Sequence, residues 1–182
     1  MDYFEIKSGV VVCSDPCYEI PTWTQGIIDN VKNGNWAHYI IENEDGRVST
    51  LVVHHSNYDL TDITKLGVDH IGSYGVDSGQ FGFFDKVSYR NDDSAVGLPK
   101  VDWDHQDDED GYEWYKACAK QTLSDESYGL VPNGIVTSSG YGDGVYPVSG
   151  AKNSDGEYVA FSVNFLLKEE EESIMDLILK QI

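Results

Sequence analysis

Three short segments place a carboxylate, thiol or amide beside glycine or proline where an apolar run stops. In "SDPCY", Asp15 and Cys17 follow the β-branched run 9–13. In "GVDSGQFG", Asp77, Ser78 and Gln80 lie among Gly75, Gly79 and Gly82. In "SSGYGDGVYP", Asp143 stands between Gly142 and Gly144, with Tyr146 close behind. Turns at strand ends carry function because a rigid sheet holds them while solvent reaches them. If these three meet, Asp15, Asp77, Ser78, Gln80, Asp143 and Tyr146 line one polar pocket for a small polar ligand. Asp15, Asp77 and Asp143 would then offer hard oxygens to Ca²⁺ or Mg²⁺. Unneutralised carboxylates held together repel one another and raise a pKa, so a cation or a basic ligand would relieve them. The plainer alternative is that each acid caps its own turn.

The glycine spacing excludes some chemistry. "GYGDG" runs into a strand-like segment with Pro147, so no helix N-terminus follows for a pyrophosphate, and the G-K-[ST] of a Walker loop is absent. "QDDEDG" at 106–111 lacks the carboxylates an EF-hand needs at its first and last positions, which here are Gln106 and Ala117. The cysteines, Cys13, Cys17 and Cys118, give neither zinc-finger spacing nor an even disulfide set.

A second chemistry is nucleophilic. Cys17 would attack as a hydrolase nucleophile, His54 or His55 would act as base, Asp77 would orient it, and a turn amide near Gly79 or Gly142 would hold an oxyanion. Adjacent residues on a strand face opposite ways, so at most one of the two histidines could reach Cys17. The alternative has Cys17 as a small core residue, with one histidine exposed and one packed at the sheet end. The aromatics Trp36, Tyr39, Trp103, Trp114 and Tyr146 could stack a ligand or serve as packing.

Charge sets the partner classes. With 32 acidic and 12 basic residues, the formal charge is −20. Such a chain repels phosphates, so no direct nucleic-acid contact is expected. A basic protein is an electrostatically suitable partner, and an acidic face at 102–113 suits a DNA mimic or protein inhibitor. No basic segment followed by a long apolar run opens the chain, and no stretch has the ~18 apolar residues of a membrane span. A cytoplasmic location, without membrane contact, is the expectation.

The elements that must position these residues are mostly strands. One domain over 1–182 is expected, α+β, built on a mainly antiparallel β-sheet or β-sandwich with two or three short helices. Hairpins are expected over 35–55, around Asp45-Gly46, and over 144–167, around Asp155-Gly156. In the second, Val159, Phe161, Val163 and Phe165 alternate with Tyr158, Ala160, Ser162 and Asn164. Helices are expected over 21–34, over 111–124 with Tyr115, Cys118, Ala119 and Thr122 on one face, and over 170–182 with Ile174, Leu177, Ile178 and Ile182 as its stripe. The polar run 91–111 reads as an acidic exposed loop.

"SDPCY", "GVDSGQFGFFD", "SSGYGDGVYPV" and the alternating strand ending in "NFL" together resemble an uncharacterised bacterial and phage family, domain of unknown function 4241, over roughly 11–166. The resemblance implies a grouping of Asp15, Cys17, Asp77, Gln80, Asp143 and Tyr146 and supplies no reaction. The family's occurrence in phages implies a host-interaction or counter-defence role for a non-enzymatic accessory protein.

Overall fold

The computed structural model describes residues 2–103 and 110–166. It contains β1 (Phe4–Ile6), β2 (Val11–Ser14), β3 (Gly26–Ile28), β4 (Gly34–Glu42), β5 (Val48–His55), α1 (Leu60–Thr64), β6 (Val68–Val76), β7 (Gln80–Asp85), α2 (Tyr112–Thr122), β8 (Tyr128–Val131), β9 (Gly134–Ser138), β10 (Gly144–Lys152) and β11 (Tyr158–Asn164). The strands form two antiparallel sheets, ordered β1-β4-β5-β11-β10-β6 and β3-β2-β7-β9-β8. The fold is an α+β sandwich.

Period-two burial explains the two-sheet packing. On the inner faces, Phe161 stacks against Trp36 of its own sheet and Phe83 of the other, both at 5.6 Å. Phe81 meets Phe165 edge-on at 6.1 Å. Alternate residues of the smaller sheet face outward, and α2 covers them: Val12, Phe84 and Val136 pack against Trp114, Ala117 and Cys118. β2 and β7 are therefore buried along their whole length, as strands covered on both faces must be.

Both hairpins form at the expected places. The second carries a bulge where Ala151 pairs with Ala160 and Lys152 with Tyr158. The extra residue, Val159, joins Ala160 in a cluster under Ile63 of α1. Tyr158 turns inward to Phe161, at 5.3 Å. The strict alternation expected for Val159 and Tyr158 is thus corrected at the bulge.

The helix expected over 21–34 is not formed. Ile27 and Ile28 pair with Val12 and Val11 in β3, and Asn30 adopts a φ of +60° that an α-helix excludes. The spacing of Ile27, Ile28 and Val31 fits a helix, but β-branched residues beside an open strand edge favour the ladder.

The helix over 111–124 forms; Cys118, Ala119 and Thr122 of the expected face are buried, Trp114 and Ala117 join them, and Tyr115 is half-buried. The loop before it is closed by one side chain. Asp92 accepts hydrogen bonds from the amides of Gly111 (3.0 Å) and Trp114 (2.8 Å), capping α2 from the far end of the loop. The expected helix at 170–182 and the acidic residues 104–109 lie outside the described residues. Among the described residues no helix is long and apolar enough to cross a membrane.

Candidate functional site

The three glycine-flanked turns meet, and Asp15 joins the first two. It follows β2 and is completely buried. Its Oδ1 accepts from the Cys17 amide (2.9 Å) and the Ser78 hydroxyl (2.6 Å). Its Oδ2 accepts from the amides of Asp77 (2.9 Å) and Ser78 (2.7 Å). Four donors on two oxygens satisfy a buried carboxylate. The second and third turns touch through the Ser139 amide, which donates to the Gly79 carbonyl at 3.0 Å. Gly79 and Gly142 have φ of +69° and +111°, a backbone that favours glycine at this close approach.

The floor beneath the first turn is equally fixed. The Tyr89 hydroxyl reaches the Tyr18 carbonyl at 2.7 Å and accepts from Gln25 Nε2 at 3.1 Å. Arg90 Nη1 donates to the carbonyls of Pro16 and Cys17, and Nη2 to that of Asp110. The guanidinium thus binds main chain, leaving Asp15 without a countercharge among the described residues.

This geometry corrects the cation reading. Asp15 has its oxygens occupied by protein donors, while Asp77 and Asp143 are exposed. Among the described residues no group of three or more His, Cys, Asp or Glu is placed to hold a metal ion. The carboxylates do share a neighbourhood. The Tyr18 phenol is pushed up, first by burial and then by neighbouring acidic groups, Asp77 foremost, with Cys17, Asp15 and Asp143 adding to it. Tyr146 does not face a pocket; its hydroxyl donates to the Gly142 carbonyl (2.7 Å) and its ring packs edge-on to Phe165.

The nucleophile and base are not brought together. The Cys17 thiol is pushed up to about 12, chiefly by burial and then by Asp15 and Asp77, with Ser78 opposing. His54 and His55 stand on β5 in the other sheet and both are buried, where one was expected exposed. His55 holds the Asn33 carbonyl at 3.0 Å through Nε2 and accepts from the Asn57 amide at 3.1 Å through Nδ1, so both ring nitrogens are occupied. The Gly142 amide closes its own turn onto the Ser139 carbonyl and is not free for an oxyanion.

Beside the second turn opens a cleft of about 330 Å³. Ser78 and Gly79 enter it from the turn before β7, Gln80 from the start of β7 and Ser138 from the end of β9; Tyr115, Ala119 and Thr122 come from α2, Leu123 from the position after it, and Trp103 completes the lining. Gln80, only 6% exposed, ties strand to helix. Its Nε2 donates to Ser78 Oγ and Tyr115 Oη, each at 3.3 Å, and its Oε1 accepts from Thr122 Oγ1 at 3.0 Å. Trp103 is 39% exposed, its ring 6.1 Å from that of Tyr115 at 51°. Two aromatic faces over a floor of hydroxyls and an amide suit an amphipathic or polar small molecule.

Of the residues singled out from sequence, Ser78, Gln80 and Trp103 line this cleft, Asp15 and Cys17 stand behind it, and Asp77 and Asp143 flank the adjoining turns. Tyr115, Thr122, Ser138 and Leu123 were missed as lining. The helical spacing 115, 119, 122 held the signal: a polar-tipped stripe beside the buried stripe 114, 117, 118.

A family model described as a protein of unknown function, DUF4241, matches residues 4–163. The chain belongs to that family. No curated protein and no solved structure matches it.

Proposed function

We propose that this DUF4241 protein is a non-enzymatic binding or accessory protein acting in the cytoplasm, and that the cleft between β7 and α2 takes a small polar ligand. One observation carries this reading: the Gln80 side chain, satisfied at both ends, fixes a hydroxyl-and-amide floor beneath the open aromatic corner of Trp103 and Tyr115. Such a floor is preorganised, so a ligand would not have to order it. A nitrogen-15 NMR screen of small polar fragments on the full chain tests the reading. Fragments that together shift the amides of Ser78, Gly79, Tyr115 and Ser138 would support it. Hits confined to other surfaces would defeat it.

The binding reading also makes a claim about Cys17. A thiol held near 12 is about one part in 10⁵ thiolate at neutral pH, so alkylation by iodoacetamide at pH 7 is expected at least ~100-fold slower than for a free cysteine. Rapid modification that depends on His54 or His55 would instead restore the hydrolase reading.

The charge of −20 favours a second reading, an acidic inhibitor or DNA mimic for a basic protein, including a phage counter-defence role. It predicts salt-sensitive association. Neutralising Asp107, Asp108 and Asp110 would weaken that association; unchanged affinity for the basic partner would remove the reading.

A further inference from the structure

Resting on the cleft as a ligand site, the charge distribution around it narrows the chemistry of the occupant. Asp15 is wholly buried directly behind Ser78 and makes no ion pair among the described residues. A buried carboxylate held by hydrogen bonds alone projects its charge through a low-dielectric surround. The Ser78 hydroxyl donates inward to Asp15, leaving its oxygen to act as an acceptor toward Gln80 and the cleft. No basic side chain lines the cleft. Of the described cations on neighbouring segments, Arg90 binds main-chain carbonyls and Lys100 and Lys116 pair with Glu113, while Lys120 on α2 is exposed and does not line the cleft. The Tyr115 phenol on the cleft wall is pushed up first by burial, with the Ser78 hydrogen bond opposing and Asp15 adding to the rise.

The opposite wall supplies the second half of the recognition. Trp103 and Tyr115 both line the cleft and pack on each other at 51° with centroids 6.1 Å apart. Ring faces attract cations within about 6 Å of the centroid, most strongly where water is excluded. An anion would face these same rings, the hydroxyl oxygens and the Asp15 field with nothing to offset them.

We propose that the cleft binds an organic cation, an ammonium or guanidinium group, seated against the packed Trp103–Tyr115 ring pair and donating to the hydroxyl oxygens of Ser78 and Ser138. The shared chemistry admits two sources: a free small molecule, or a lysine or arginine side chain of a partner protein.

The test uses the full chain and the indole N–H resonance of Trp103. Butylammonium is paired with the neutral butanol, ethylguanidinium with its neutral isostere ethylurea, and the tripeptides Gly-Arg-Gly and Gly-Lys-Gly complete the set. A saturable shift is expected with at least one cation and at least ten-fold weaker with its neutral partner; the shifts that the cation also causes at the Ser78, Gly79 and Ser138 amides are expected to be lost in Trp103→Leu, whose unchanged amide spectrum elsewhere would show it folded. Saturation by butylammonium or ethylguanidinium identifies a free small molecule; saturation by a tripeptide alone identifies a partner side chain. Either result supports the proposal. Neutral partners that bind at Trp103 as tightly as the cations would overturn the cation assignment and leave the cleft standing as a ligand site. Silence from every cation, with neutral fragments still binding there, would do the same. Silence from cations and neutral fragments alike would overturn both the assignment and the reading on which it rests.

Discussion

Asp15 and Asp85 stand at opposite ends of the β2–β7 pair, and both are completely buried. At the Asp85 end, the carboxylate accepts from the amides of Lys7, Ser8 and Val87, all main chain. It anchors the β1–β2 connection and the turn after β7. At the Asp15 end, one of the four donors is a side-chain hydroxyl, Ser78, which also lines the cleft. A buried acid with main-chain partners is thus a fastening. The same device with a hydroxyl interposed becomes a fastening whose charge is presented to a cavity.

The largest effect expected from this comparison is shared by both ends. Asp15→Ala and Asp85→Ala each strand buried N–H groups at roughly 1–3 kcal/mol apiece, so each should cost about 3–5 kcal/mol in denaturant unfolding. A loss at Asp85 with none at Asp15 would break the equivalence and return Asp15 to the class of functional acids held at a stability cost.

Ser78→Ala sharpens the difference. It removes one hydrogen bond to a charged group, worth about 1.5–3 kcal/mol of stability, and is expected to weaken any ligand in the cleft. Ser8→Ala at the other end keeps its main-chain donation to Asp85 and should change stability by under ~1 kcal/mol. Equal losses for the two variants, measured by the same unfolding assay, would remove the distinction.

A smaller effect comes from β5, outside both ends. Burial holds the His55 imidazole below the ordinary value of 6.5, so the unfolded chain takes up the proton first. Stability present above about pH 6.5 is therefore lost as pH falls below it, by roughly 1 kcal/mol or less down to pH 5.5. His55→Gln should flatten that slope. A slope unchanged by the substitution would assign it to other groups.

The sandwich was legible because its signals are local. Phe161, Val163 and Phe165 alternate, and Asp45-Gly46 and Asp155-Gly156 mark their turns. The helix over 21–34 misled because Ile27, Ile28 and Val31 satisfy a helical spacing while also being β-branched, and only a neighbouring edge, that of β2, decides between the two. The meeting of the three turns could be framed from their shared composition, an acid beside glycine at a strand end. What Asp15 does there could not be read, since a carboxylate that will receive amides from residues 62 and 63 positions away looks the same in sequence as one that will face solvent. The cleft was least legible. Trp103, Tyr115, Gln80 and Ser138 come from four separate segments, and helical periodicity reveals a buried stripe without saying which neighbouring stripe borders a gap.

The most direct measurement of the central claim is a crystal structure of the full chain soaked with the best fragment from the NMR screen. The account predicts density in the cleft against the rings of Trp103 and Tyr115, within hydrogen-bond reach of Ser78 or Ser138 and with the Gln80 contacts intact. The same fragment bound at another surface, with this cleft empty, would contradict it.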